Sequence, residues 1–376
     1  MLNILSENST TLLVFVATAL SIWYVITLLS KRNLPPGPLS LPVIGSMYLL
    51  WKPGVTLMAL FAELTKKYGK VFTIQMGPTP IILINDLKFV QEAYVKKGDI
   101  TSNRPYIYYF LKKMEKQAGL GLSLSSGQQW KEIRRLCTMA MRECGLGKKS
   151  LEEKIYEEVT ELLRVIDQSK GKPVDLKPTL MQVTSNVVSS IIFGSRFDFE
   201  DPKFKLLLQR LREGTKVNVF FMPVNFFPFL RFFTNKEDKF IKTVQTTSAH
   251  IKDLLADHEQ TFDPDNIRDL VDLVLKMRQI SPESRHFSDI NIRRAVVDLF
   301  GAGSETTAAT FQFLLYVMAN NPAIQERCQR EIDQAFGPSQ GKGNSGGLEL
   351  LTTTEASLQS DLWRDSLPAE YFIAPL

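Results

Sequence analysis

Between Asp289 and Asn320 the chain carries no proline, and from Thr306 to Met318 it carries no charge. At about 1.5 Å rise per residue this stretch predicts a helix roughly 50 Å long. Its charge-free half predicts a helix buried all round. Yet its middle reads Phe300-Gly301-Ala302-Gly303-Ser304-Glu305-Thr306-Thr307: two glycines and two threonines, weak helix formers, beside an ionisable acid. Two readings fit. Small residues let another helix cross closely. Alternatively, Gly301 and Gly303 let a flat ligand approach the backbone, and Ala302 and Thr306 share one face. In that case Thr306 captures the carbonyl four residues back, and Glu305 is a buried acid able to relay protons.

The rest of the chain is organised around this rod. Thr11 to Leu29 is uncharged and close to the roughly 20 residues needed to span a bilayer. Lys31-Arg32 follow it directly, which places the body on the cytosolic side. A cleaved signal peptide is the alternative. Asn8-Ser9-Thr10 is a glycosylation sequon on the other side. Leu34-Pro35-Pro36-Gly37-Pro38 then predicts a stiff, extended linker. Thr56 to Tyr68 has helical spacing with Gly69 as its stop, and Val71–Met76 and Ile81–Ile84 read as strands parted by Gly77-Pro78. From Ser150 onward helical patterns dominate: 151–166, 180–193, 237–258, 270–278 and 322–336. Prolines 223 and 228 break the aromatic cluster of Val219 to Phe233, against one long core helix. Three cysteines, Cys137, Cys144 and Cys328, exclude a disulfide framework. Three histidines show no metal-ligand pattern and read as surface or helix-end residues. The net charge of +5 is dispersed along the chain and gives no reason to expect nucleic acid.

Trp130-Lys131-Glu132-Ile133-Arg134 supplies a second candidate site. Trp130 and Arg134 are four apart on one helix face, offering an indole N–H and a guanidinium fork suited to a carboxylate. The competing reading is a surface arginine packed on a core tryptophan.

Ala302-Gly303-Ser304-Glu305-Thr306-Thr307 resembles the oxygen-activation motif of the cytochrome P450 family, the haem-thiolate monooxygenases. The proline-rich segment after a basic-flanked anchor resembles the hinge of its microsomal, family 2-like members. Trp130 and Arg134 are similar to the pair that holds a haem propionate. Phe193-Gly194-Ser195-Arg196-Phe197 resembles a run found in the same subgroup. The resemblance implies a mainly α, P450-like helical fold with a small β region and a single N-terminal transmembrane helix. It divides the chain into an anchor (1–30), a hinge (31–46), a partial catalytic domain (47–338) and a divergent tail (339–376). It implies haem as cofactor, with Trp130, Arg134, Ala302 and Gly303 binding it and with Thr306 and Glu305 delivering protons. It also implies a lid at Val219 to Phe233 that dips into lipid, electrons from an NADPH-cytochrome reductase, a small apolar substrate and residence in the endoplasmic reticulum membrane.

Two departures qualify the expectation. The family's E-x-x-R pair has only Asp361-Leu362-Trp363-Arg364 as its nearest match in the tail. The cysteine loop that ligates haem iron is absent, and no cysteine follows Cys328, which lies among Glu326, Arg327, Gln329 and Arg330. The chain is therefore expected to be truncated before that loop and inactive as a monooxygenase. The alternative is a non-catalytic, membrane-anchored fragment with an interaction role. A third reading is a helical membrane-associated binding protein unrelated to oxygenases.

Overall fold

The computed structural model describes residues 33–51, 54, 56–105, 119–145, 149–215, 223–232, 236–280 and 288–336, with scattered positions between 11 and 25. Lys31, Arg32, His286 and the tail from 337, including Asp361 and Arg364, lie outside the described residues. The expected span at 11–29 falls largely outside them too. It is described only at 11, 14, 15, 17, 18, 21, 22, 24 and 25, which are helical and exposed. Among the described residues no helix is long and apolar enough to cross a membrane. Those residues form two compact units, one up to Thr101 and one from Ser102 onward.

In the first unit, helix α1 (Leu57–Tyr68) begins where Thr56 Oγ1 accepts the N–H of Ala59 at 3.2 Å. It ends at Gly69, whose φ of 93° suits glycine and whose N–H bonds Thr65 O at 2.9 Å. Leu60, Phe61 and Leu64 are its buried face. Strands β1 (Val71–Met76) and β2 (Thr79–Ile84) form an antiparallel hairpin with Val71 opposite Ile84. The proline-rich segment is more than a linker, because it packs along the free edge of β1. Thr73 N–H bonds Pro36 O at 2.9 Å, and Ser46 N–H bonds Gln75 O at 2.6 Å. Only glycine fits at position 37, since a Cβ there would lie 1.9 Å from Thr73 O.

The second unit is a helical assembly: α2 (Gly127–Glu143), α3 (Lys149–Gln168), α4 (Lys177–Ile192), α5 (Pro202–Thr215), α6 (Lys236–Gln260), α7 (Leu270–Ile280), α8 (Asp289–Asn320) and α9 (Pro322–Phe336). Helix α8 has 32 residues, and α4, α5 and α6 pack against it. Leu180, Ile192, Phe204, Leu207, Ile251, Val271, Val296 and Phe300 share the main core. Leu136 and Ala140 bring α2 into it. Pro223–Phe226 and Pro228–Phe232 are two short helical turns, so the prolines do break the aromatic cluster. Val224 is buried, while Phe229 and Phe232 are exposed.

The expectation that α8 is buried all round does not hold among the described residues. Its first half is buried at Asn291, Ile292, Ala295, Val296 and Phe300. Farther along, Phe311, Leu314, Leu315 and Tyr316 are exposed, Tyr316 at 65%. Ala302, Thr306, Ala309 and Thr310 are exposed as well.

Candidate functional site

Helix α8 shows two faces at its weak centre. Ala302 and Thr306 lie on the open side, both exposed. Thr306 Oγ1 donates to Ala302 O at 2.6 Å, as the sequence suggested. That bond does not itself mark function, because Thr310, Thr138 and Thr160 make the same one. What distinguishes Thr306 is its place one turn from Ala302 on an uncovered face. Glu305 is half-buried.

The glycines face the helices behind. A Cβ at Gly303 would lie 2.8 Å from Val188 Cγ2 of α4, and one at Gly301 would meet only Leu211 of α5, at 3.7 Å. The room left by the missing side chain at Gly303 is therefore taken up by a helix crossing rather than left for a ligand. Thr184 Oγ1 donates to Ser304 O at 2.8 Å at that same crossing.

Trp130 and Arg134 stand one turn apart on α2. The Arg134 guanidinium lies 5.3 Å from the Trp130 ring centroid. Arg134 is exposed and makes no ion pair with a carboxylate among the described residues. Sequence reading missed the third member. Arg104 brings its guanidinium to 5.7 Å from the same ring. Its Nε donates to Ser123 O at 2.9 Å and its backbone N–H to Ser126 Oγ at 2.7 Å. Two guanidinia therefore lie close to one indole.

The loop beneath these side chains is tied to α8. Asp298 Oδ2 accepts from Leu122 N–H (2.9 Å), Ser123 N–H (3.0 Å) and Ser123 Oγ–H (2.9 Å). Arg294 pairs with its other oxygen at 3.2 Å, and Asn291 Oδ1 accepts from Gly121 N–H at 2.7 Å. Gly121 has φ +74°, and a Cβ there would lie 2.5 Å from Asp298 Oδ2.

The three cysteines lie elsewhere. Cys137 is buried with Ile133 and Ala295, and burial followed by the Asp298 charge pushes its thiol up to about 12. Cys328 on α9 is raised by burial and then by Glu331. Cys144 is half-buried at the end of α2. Burial therefore disfavours the thiolate form of Cys137 and Cys328.

His258 is a helix-end residue, as expected, in the last turn of α6, but it is half-buried and paired. Its Nε2 lies 2.7 Å from Asp269 Oδ2, which is buried at the start of α7, and that bond holds its pKa above the usual imidazole range. Asp272 is also close enough to share a cation with them. However, Arg268 grips both its oxygens at 2.6 and 2.8 Å. Burial opposes the Asp272 charge, but the Arg268 contacts outweigh it and hold the carboxyl below its usual range. The cluster is a network of paired charges joining the end of α6 to the start of α7.

Residues 35–357 match the family profile described as Cytochrome P450. The chain belongs to the cytochrome P450 family. It is 34% identical over 339 residues to Cytochrome P450 2H2 of Gallus gallus, covering 89% of this chain and 68% of that protein. It is 33% identical over 335 residues to Cytochrome P450 2J5 of Mus musculus (87% and 65%). To Cytochrome P450 2C8 of Homo sapiens it is 33% identical over 315 residues (82% and 63%). It thus spans about two thirds of the length of these P450 relatives and is family 2-like. Membership implies haem monooxygenation, a redox partner reductase and apolar substrates.

Haem is a flat macrocycle with two carboxylates and an iron that takes axial ligands. The residues present fit the first two features. Arg104, Trp130 and Arg134 suit a carboxylate, and the Ala302–Thr306 face offers an open, small-residue surface. Cys137, packed into the core with Ile133 and Ala295, does not fit the third.

Proposed function

We propose that this polypeptide is the haem-facing part of a microsomal-type P450 monooxygenase. It holds the cofactor's carboxylates at Arg104, Trp130 and Arg134, without supplying from its own cysteines the thiolate that oxygen cleavage requires. The observation that carries this reading is the Arg134 guanidinium, exposed on Trp130 with no carboxylate partner among the described residues. When bound, haem supplies the redox-active iron of the family's chemistry. The chain's own residues orient and protonate. Trp130 N–H and the two guanidinia fix a carboxylate. Ala302 leaves space on the open face of α8. Thr306, its hydroxyl hydrogen engaged by Ala302 O, presents lone pairs to that face, and Glu305 stands beside it as a proton store. The substrate class is a small apolar molecule, taken up against the uncharged stretch of α8.

Haemin titration tests the clamp. Arg134→Ala should weaken binding about tenfold or more, the scale of losing one charge-assisted hydrogen bond. Equal affinity for variant and parent would reject it.

Residues 1–30 are read as a single membrane anchor in the endoplasmic reticulum, from the uncharged run Thr11 to Leu29 and the following Lys31-Arg32. Full-length protein should resist carbonate extraction from microsomes, and removal of 1–30 should weaken that resistance. Release of the intact chain by carbonate would sink the topology. A non-catalytic interaction role is the second reading, favoured by the exposed Phe311, Leu314, Leu315 and Tyr316.

A further inference from the structure

Asp298, Ala302 and Thr306 are spaced four apart on α8, so they fall along one stripe of the helix. The carboxylate at the head of that stripe touches no part of the anion clamp. It does hold the loop that holds the clamp. Oδ2 of Asp298 collects three hydrogen bonds from Leu122 and Ser123 within 3.0 Å, and Arg294 pairs with its other oxygen at 3.2 Å. Ser123 then turns its carbonyl to Arg104 Nε at 2.9 Å, and Ser126 takes the Arg104 backbone N–H at 2.7 Å. Arg104 in turn lies over Trp130, which carries Arg134. The loop's close approach depends on Gly121, where any side chain would strike Asp298.

We propose that Asp298 is a positioning residue for the anion clamp, acting through the Ser123 carbonyl on Arg104. The inference rests on the proposed reading of Arg104, Trp130 and Arg134 as a carboxylate clamp. An arginine side chain has several soft torsions, and an unanchored guanidinium spreads over many rotamers. Arg104 Nη1 also bonds the Ser102 carbonyl, and the fixed Ser123 carbonyl adds the second anchor that selects one of them. Without Asp298, two backbone N–H groups and a hydroxyl lose their shared acceptor. The loop then relaxes, and Arg104, held by the Ser102 carbonyl alone, shifts from the ring.

The test separates positioning from simple destabilisation by comparing two ligands of the full chain, haemin and haemin dimethyl ester. The two have the same ring and iron, but only haemin offers carboxylates. The parent should prefer haemin by about tenfold or more. Asp298→Ala should bring that preference close to unity. Ser123→Ala, which removes one of the three bonds and leaves both backbone N–H groups anchored, should reduce it partway. It also carries the test should Asp298→Ala fail to fold. A lowered affinity for both ligands with the preference unchanged would mean that Asp298 only supports the fold, and the positioning role would be overturned. Arg134→Ala and Arg104→Ala are the controls. If they abolish the preference and the Asp298 and Ser123 variants do not, the relay alone fails. If they too leave it intact, the clamp reading fails with it.

Discussion

Arg134 and Arg104 differ in how they could be found. Trp130 and Arg134 sit one helical turn apart, so spacing alone puts an indole and a guanidinium on one face. Arg104 lies far upstream, before a loop, and reaches the same ring only through tertiary contacts with Ser123 and Ser126. Local periodicity carries no trace of such a contact. The helix-end position of His258 was readable, but its pairing was not, because its partner Asp269 lies across a turn, just before the next helix. It makes a pH prediction. The folded pKa of His258 is raised, chiefly by the Asp269 hydrogen bond, over the ordinary value of about 6.5. Its protonated contact therefore contributes fully below the unfolded value and is lost as pH rises through the folded one. Denaturant midpoints should fall over that window in the parent and lose that component in His258→Gln. An identical pH profile in the variant would show that His258 is not responsible.

At the level of elements, the glycines of α8 were legible as small residues but not as to what they admit. Periodicity marks a position, whereas the direction of its missing Cβ depends on which helix lies behind. Gly303→Ala should destabilise by about 1–3 kcal/mol through overpacking against Val188, and Val188→Ala in the same chain should recover part of that. Additive losses would mean that the two positions do not meet. The Phe193 to Phe197 run likewise acquires a physical role. Arg196 Nε bonds Glu158 Oε1 at 2.6 Å, and Glu158 is only 1% exposed. Asn186 bonds the other carboxylate oxygen at 3.2 Å, tying α3 to α4. Arg196→Ala should cost up to about 3–5 kcal/mol, toward the low end because Arg196 itself is partly exposed. Chemical denaturation with an unchanged midpoint would exclude a stabilising role for the pair.

For the whole molecule, helix boundaries were largely readable. The expected bounds of α8 and α9, the hairpin and the Gly69 stop recur in the structure, since stops, prolines and hydrophobic periods are local signals. Burial was not readable. A charge-free run predicts a buried helix only if something covers it, and among the described residues Phe311 and Tyr316 remain open. That apolar face predicts self-association. Phe311→Ser with Tyr316→Ser should raise the soluble, monodisperse fraction in size-exclusion chromatography without lowering helicity, and no gain would place the association elsewhere. The central proposal is that Arg104, Trp130 and Arg134 hold a haem carboxylate and that none of Cys137, Cys144 and Cys328 ligates its iron. The most direct measurement is the absorption spectrum of the full chain loaded with stoichiometric haem, reduced and exposed to carbon monoxide. The account predicts haem binding that depends on Arg134, without the red-shifted Soret band of thiolate ligation. Appearance of that band, and its loss in Cys328→Ala, would contradict it.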